Sequence, residues 1–167
     1  DPRAAKQFQE STLKSLADAD IPELKSSPRY AALVESINGY QKDIAAKQNE
    51  VLKEARDGFS DTFERVRSGR TEAIHAANTY DEKYWKCDKF QKGEHDLVRD
   101  VLLAMDMAAK PGTYGDDAYR AAVTLPALIA TIEAHDRNSK DSDRLLNPRD
   151  LEKLREYSQK LSKDLNY

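Results

Sequence analysis

Apolar residues recur along this chain at intervals of three and four, the spacing that keeps side chains on one face of an α-helix. In the longest run, positions 30, 34, 37, 41, 44, 48, 51 and 55 hold Tyr30, Val34, Ile37, Gln41, Ile44, Gln48, Val51 and Ala55, and Leu33, Tyr40 and Leu52 widen this seam into a stripe facing a bundle. Ser27-Pro28 starts it, because a serine oxygen accepts from free helix amides and proline lacks a donor that the first turn does not need. Upstream, Asp1 as cap and Pro2 in the first turn open a helix that carries Phe8, Leu13 and Leu16 and stops near Ile21-Pro22. Downstream, Phe59, Phe63 and Val66 form a short amphipathic segment between breaks expected at Gly58 and Ser68-Gly69. Thr71 is placed to cap a further helix whose inner face runs Ile74, Ala77, Tyr80 and Tyr84, with Gly93 as its left-handed terminator.

The most strongly apolar stripe follows, with Leu97, Val98, Val101, Leu102, Met105 and Ala108, and ends at Lys110-Pro111-Gly112. Asp116 or Asp117 then caps a helix through Tyr119, Val123, Leu128, Ile129 and Ile132, which Pro126 should kink by removing a backbone donor. Asn138 to Asp143 reads as a polar loop. Asn147-Pro148-Arg149-Asp150 opens the last helix, turning Leu151, Leu154, Ser158, Leu161 and Leu165 inward and Glu152, Lys153, Glu156 and Lys160 to water. No alternating Val/Ile/Thr-rich run is present to make a strand. The pattern predicts an all-α fold, an up-and-down-like bundle of about five helices in a single domain over residues 1–167.

Composition narrows the function classes. Charged residues make up 34% and mean hydropathy is −0.83, yet 39% apolar residues at helical spacing separate the chain from disordered ones. A net charge of −3 gives no broad attraction toward nucleic acid or anionic lipid. The longest apolar stretch, Ala121 to Ile132, is too short to span a bilayer. Cys87 is the sole cysteine, so no internal disulfide or paired-thiol chemistry is available. An opening on Asp1-Pro2 instead of methionine is what a chain trimmed of its leader would show.

Chemistry-bearing residues are few. Glu72-x-x-His75 has the spacing used in di-metal bundles, but His95 and His135 lack the matching glutamate that a second half-site needs, so no metal is expected. No nucleophile elbow or glycine-rich phosphate loop occurs, and no catalytic residue or cofactor is assigned. Lys83, Lys86, Lys89 and Lys92 interleave with Tyr84, Trp85 and Phe90, but a spacing of three walks around a helix and acidic neighbours dilute the charge. Nucleic acid is therefore not an expected partner. Two alternatives to a binding protein stay open: a ligand-sensing bundle in which Gln41, Gln48 and tyrosines line a cavity, and an enzyme with an unrecognised carboxylate site.

Tyr80, followed by Trp85-Lys86-Cys87-Asp88-Lys89-Phe90-Gln91-Lys92-Gly93, resembles a tyrosine followed by aromatic-Lys-x-Asp-x-Phe-x-Lys-Gly in the YiiG-like family of uncharacterised bacterial lipoproteins. Tyr30 with Leu33-Val34 and Ile37-Asn38 is similar to that family's opening helix, and Leu154-Arg155-Glu156-Tyr157 leading to Asn166-Tyr167 to its closing one. Cys87 and Trp85 replace an acid and a tyrosine of the pattern, and the stretch between Gly93 and Pro148 is shorter. The resemblance implies a periplasmic or cell-envelope protein, held to the membrane only through a lipid anchor, with another envelope protein as partner. As the densest aromatic cluster lies here, Tyr84, Trp85 and Lys86 form the expected binding surface, with Trp85 buried and Tyr84 partly exposed.

Overall fold

A computed structural model describes residues 2–19, 21–70, 72–87, 93–94, 96–109 and 116–166, without the side chains of Trp85 and Lys86. Among the described residues the chain is all-α: α1 (Pro2–Asp18), α2 (Pro22–Lys25), α3 (Pro28–Arg67), α4 (Ala73–Cys87), α5 (Asp96–Ala109), α6 (Asp117–Arg137) and α7 (Pro148–Asp164), with one 3-10 turn at Asp141–Asp143. They fall into two compact units, residues 1–51 and 52–167, divided inside α3. The caps expected from Asp1 and Thr71, and the Asp88–Lys92 part of the aromatic motif, lie outside the described residues.

The larger unit is a bundle with a continuous core. Leu52, Ala55, Phe59, Phe63 and Val66, spaced three and four apart on the second half of α3, are all buried. Phe59 meets the Tyr80 ring of α4 edge-on at 6.0 Å, and Phe63 meets Tyr157 of α7 in the same way at 5.9 Å. α3 thus touches both α4 and α7, while α4 packs on α5, α5 on α6 and α6 on α7. The helices close into a ring in which sequence neighbours are spatial neighbours, as an up-and-down arrangement requires.

Two predicted faces are rotated in part. On α4 the buried face is Ala73, Ala76, Ala77, Tyr80 and Tyr84, and Ile74 points outward at 62% exposure. On α6 Ala121, Ala122, Leu125, Ile129 and Ile132 are buried, whereas Tyr119 and Val123 are about half exposed. In both helices alanine faces the neighbour, because small side chains let backbones approach while larger ones fill the gaps between turns.

Helix ends follow local chemistry. Gly58 does not break α3, which runs through it to Arg67. Gly69 ends α3 with φ +69°, its N–H bonded to Val66 and that of Arg70 to Arg65, the paired C-terminal bonds that require a left-handed residue. Gly93 is also left-handed, at φ +102°. Ser27 Oγ accepts from the Arg29 amide at the start of α3. Asn147 does not cap α7 with its side chain, which reaches back to the Arg56 carbonyl instead.

Beyond the polar loop at Asn138 to Asp143, the segment between α6 and α7 turns inward into the core. Leu145 and Leu146 are buried within the core and carry their peptide groups with them. Buried Asp136 accepts from the Leu145 and Leu146 amides at 2.8 and 3.2 Å. Tyr84 donates to the Leu145 carbonyl at 2.6 Å, and Arg56 donates to the Asp141 and Arg144 carbonyls at 3.0 and 2.9 Å. Tyr84→Phe should therefore cost about 1–3 kcal/mol and Asp136→Ala about 3 kcal/mol, read by urea unfolding, because each strands buried backbone groups. Losses below about 0.5 kcal/mol would show that the segment is not pinned.

Burial also governs the buried phenols. It pushes Tyr80 up to about 12 against a lowering hydrogen bond from Thr62, and pushes Tyr84 beyond the usual range. In the unfolded chain tyrosine ionises near pH 10. Between about pH 10 and 12 the folded state holds more protons than the unfolded one, so stability falls as pH rises. The melting temperature should drop across this window, and more gently in Tyr80→Phe.

Candidate functional site

Of the three residues predicted to form a binding surface, Tyr84 is only 1% exposed and hydrogen-bonded to Leu145, so it is a core residue and not a contact for a partner. The expectation of partial exposure fails because the Tyr84 hydroxyl satisfies a buried carbonyl. The side chains of Trp85 and Lys86 lie outside the described residues. Glu72 and His75 are both exposed at the start of α4, and among the described residues no three His, Cys, Asp or Glu side chains converge as metal ligands.

Polar crevices of the larger unit are lined by groups that pair with one another. In one of about 300 Å³, Lys153 donates to Ser60 and lies 4.0 Å from Asp150, whose carboxyl is raised by burial against the opposing pull of Lys153 and Arg149. This contact ties α7 to α3. In another, of about 200 Å³, Arg155 bonds both Glu133 and Glu152, and Arg144 faces Asp141 at 3.4 Å. The first crevice brings the Ser60 hydroxyl, the Lys153 amine and the Asp150 carboxylate together as a tie between two helices, and the second has no Ser, Thr or Cys among its lining residues to act as a nucleophile.

The smaller unit has a different kind of surface. α1 and the first half of α3 lie side by side, joined by a 2.7 Å bond from Gln9 Nε2 to the Ile37 carbonyl and a 3.5 Å bond from the Tyr30 hydroxyl to the Leu16 carbonyl. α2 bridges the turn, where Lys25 reaches the Ala17 carbonyl. Among the described residues of this unit only Gln9 and Gln48 are fully buried, and its apolar side chains, among them Leu16, Val34, Ile37 and Ile44, are at most half-buried. Between the helices runs a groove of about 470 Å³, walled by Pro2, Ala5, Phe8 and Thr12 of α1 and by Ile37, Tyr40 and Ile44 of α3. Phe8 is 76% exposed and Tyr40 58% exposed on its rim. Asp43 and Lys47 are its charged lining residues.

This groove was not singled out by sequence. Gln41 is exposed and Gln48 buried, but neither walls it, whereas Tyr40 does. Leu33 and Tyr40, expected to face the bundle, are solvent-facing. The available signal was the width of the stripe on α3: residues 30, 34, 37 and 44 suffice to meet α1, leaving 33 and 40 for another neighbour. Compared with known proteins, the chain matches no family model, no curated sequence and no solved structure at a significant level.

Because Phe8 already stands in water in the single chain, Phe8→Ser should change the unfolding stability of the dilute monomer by less than about 0.5 kcal/mol. The same change should lower binding of an environment-sensitive apolar dye, measured by fluorescence titration. Undiminished dye binding would move the exposed apolar surface elsewhere.

Proposed function

We propose that this chain is a non-enzymatic interaction protein of the bacterial cell envelope, which docks a helical segment of a protein partner on the face made by α1 and α3. The observation that carries this reading is a helix pair that only half-buries its own apolar side chains yet presents an apolar groove of about 470 Å³ rimmed by Phe8 and Tyr40. Exposed apolar patches of this kind mark interaction surfaces, and a cleft between two helices takes an amphipathic helix more readily than a small molecule, which needs enclosure on most sides. The envelope location rests on the likeness of the Tyr30–Asn38, Tyr80–Gly93 and Leu154–Tyr167 segments to bacterial lipoproteins.

A photo-crosslinking residue in place of Thr12, inside the groove, tests the docking reading in cells expressing the full-length precursor. The expected result is a discrete protein adduct in the envelope fraction, lost when Tyr40→Glu is added. Absence of any adduct would overturn the docking reading, and an adduct confined to the cytosol would overturn the location.

A further inference from the structure

Building on the reading of the α1–α3 face as a docking surface, we infer that its occupant is the same face of a second copy, the two helix pairs closing into an intermolecular four-helix bundle. The seam residues have the required spacing. Ala5, Phe8 and Thr12 on α1 step by three and four, and Leu33, Ile37, Tyr40 and Ile44 on α3 by four, three and four, the pattern of knobs-into-holes packing. Two helices side by side leave one flank of each seam wet, and a four-helix bundle is a compact arrangement that covers both.

A two-fold interface must be self-complementary, each patch holding both the knob and the hole. This one does: exposed Phe8 and Tyr40 stand as knobs beside a groove that Ile37, Ile44 and Ala5 line. Its charges are also paired in sign. Asp43 and Lys47 lie one turn apart on α3, so an antiparallel α3 related by a two-fold axis near residue 45 sets Asp43 of each copy against Lys47 of the other. Within one chain Lys47 bonds Glu50 at 2.7 Å, with both side chains more than half exposed, so that contact is readily exchanged. The size fits as well. The 17 residues of α1 make a face about 25 Å long and two helices are about 20 Å wide, a projected footprint of about 500 Å² per partner, which reaches the ~1,000 Å² total at the lower end of stable interfaces.

Sedimentation equilibrium of the full chain at concentrations up to about 0.1 mM should give a dimer, the association expected of an interface at the lower end of the stable range. Asp43→Lys alone sets lysine against lysine across the axis, and Lys47→Asp alone sets aspartate against aspartate. Each should weaken the dimer about ten-fold. An equimolar mixture of the two single variants should recover the wild-type dimer strength, as should the double variant, because both restore opposite charges across the axis. Circular dichroism of each variant separates loss of association from loss of fold. A monomer at every concentration, or a dimer indifferent to both charge reversals and to Phe8→Glu, would overturn the second-copy assignment. If the monomeric chain still formed the Thr12 adduct with a different protein, the docking reading would stand with another occupant; with no adduct at all, both would fall.

Discussion

Leu145 and Leu146 can enter the core of the larger unit only if the peptide groups that come with them find partners, and Asp136, Arg56 and Tyr84 supply those partners. The arrangement solves two problems together. A buried carboxylate and a buried guanidinium would each be costly if stripped of water. Here Asp136 is met by two amides and the neighbouring His135 ring, and Arg56 by two carbonyls, so the dipoles of one short segment take over the role of hydration. Tyr84 lies between them, feeling both charges, with its hydroxyl on the Leu145 carbonyl. Because Arg56 belongs to α3, Tyr84 to α4 and Asp136 to α6, the segment fixes the mutual register of three helices and delivers the chain to the start of α7.

That dependence explains why the larger unit closes as a ring. Packing of α3 against α7 through Phe63 and Tyr157 requires the last helix to return beside the third, and the return is set where Asn147 reaches the Arg56 carbonyl. Further ties are cumulative and local: Lys153 to Ser60 between α7 and α3, Arg155 to Glu133 between α7 and α6, and Arg99 3.7 Å from Asp81 between α5 and α4. These charges are exposed or partly exposed and screened by water, so each contributes little on its own. The core supplies stability and the buried polar segment supplies register.

The fold class was legible because periodicity reports helices directly. α5 buries Val98, Val101, Leu102 and Met105 and α7 buries Leu151, Leu154 and Ser158 as their spacing names them, since their stripes are mostly aliphatic, while Leu97, Ala108, Leu161 and Leu165 at the stripe ends are half-buried. α4 and α6 were read in part: Ala77, Tyr80 and Tyr84, and Ile129 and Ile132, are buried as their spacing indicates, whereas Ile74, Tyr119 and Val123 look like core by hydrophobicity but close packing selects Ala73, Ala76, Ala121 and Ala122. Asn138 to Asp143 is the polar loop that its Ser/Asp content suggests, but nothing local reveals that Leu145 and Leu146 just beyond it are buried, or that Arg56, more than 80 positions upstream, anchors the segment. Tyr84 was misassigned for the same reason, because an aromatic with a polar tip suits an interface and a satisfied core equally well until its carbonyl partner is known. Nor does the pattern of α3 announce that the division into two units falls between Val51 and Leu52, as three-and-four spacing continues across it.

The two halves of α3 show how one periodic pattern serves opposite ends. From Leu52 onward the stripe meets large rings and aliphatic side chains and is buried at 4% exposure or less through Val66 at its inward positions. Before Val51 a stripe of similar spacing meets α1, which carries an exposed Phe8, half-buried Leu13 and Leu16, and Gln9 hydrogen-bonded to the Ile37 carbonyl, so that no apolar side chain of this unit is fully buried. If the proposed second copy covers that face, association adds to the stability of residues 1–51 by mass action and makes it depend on concentration, whereas the core of residues 52–167 is buried within the single chain.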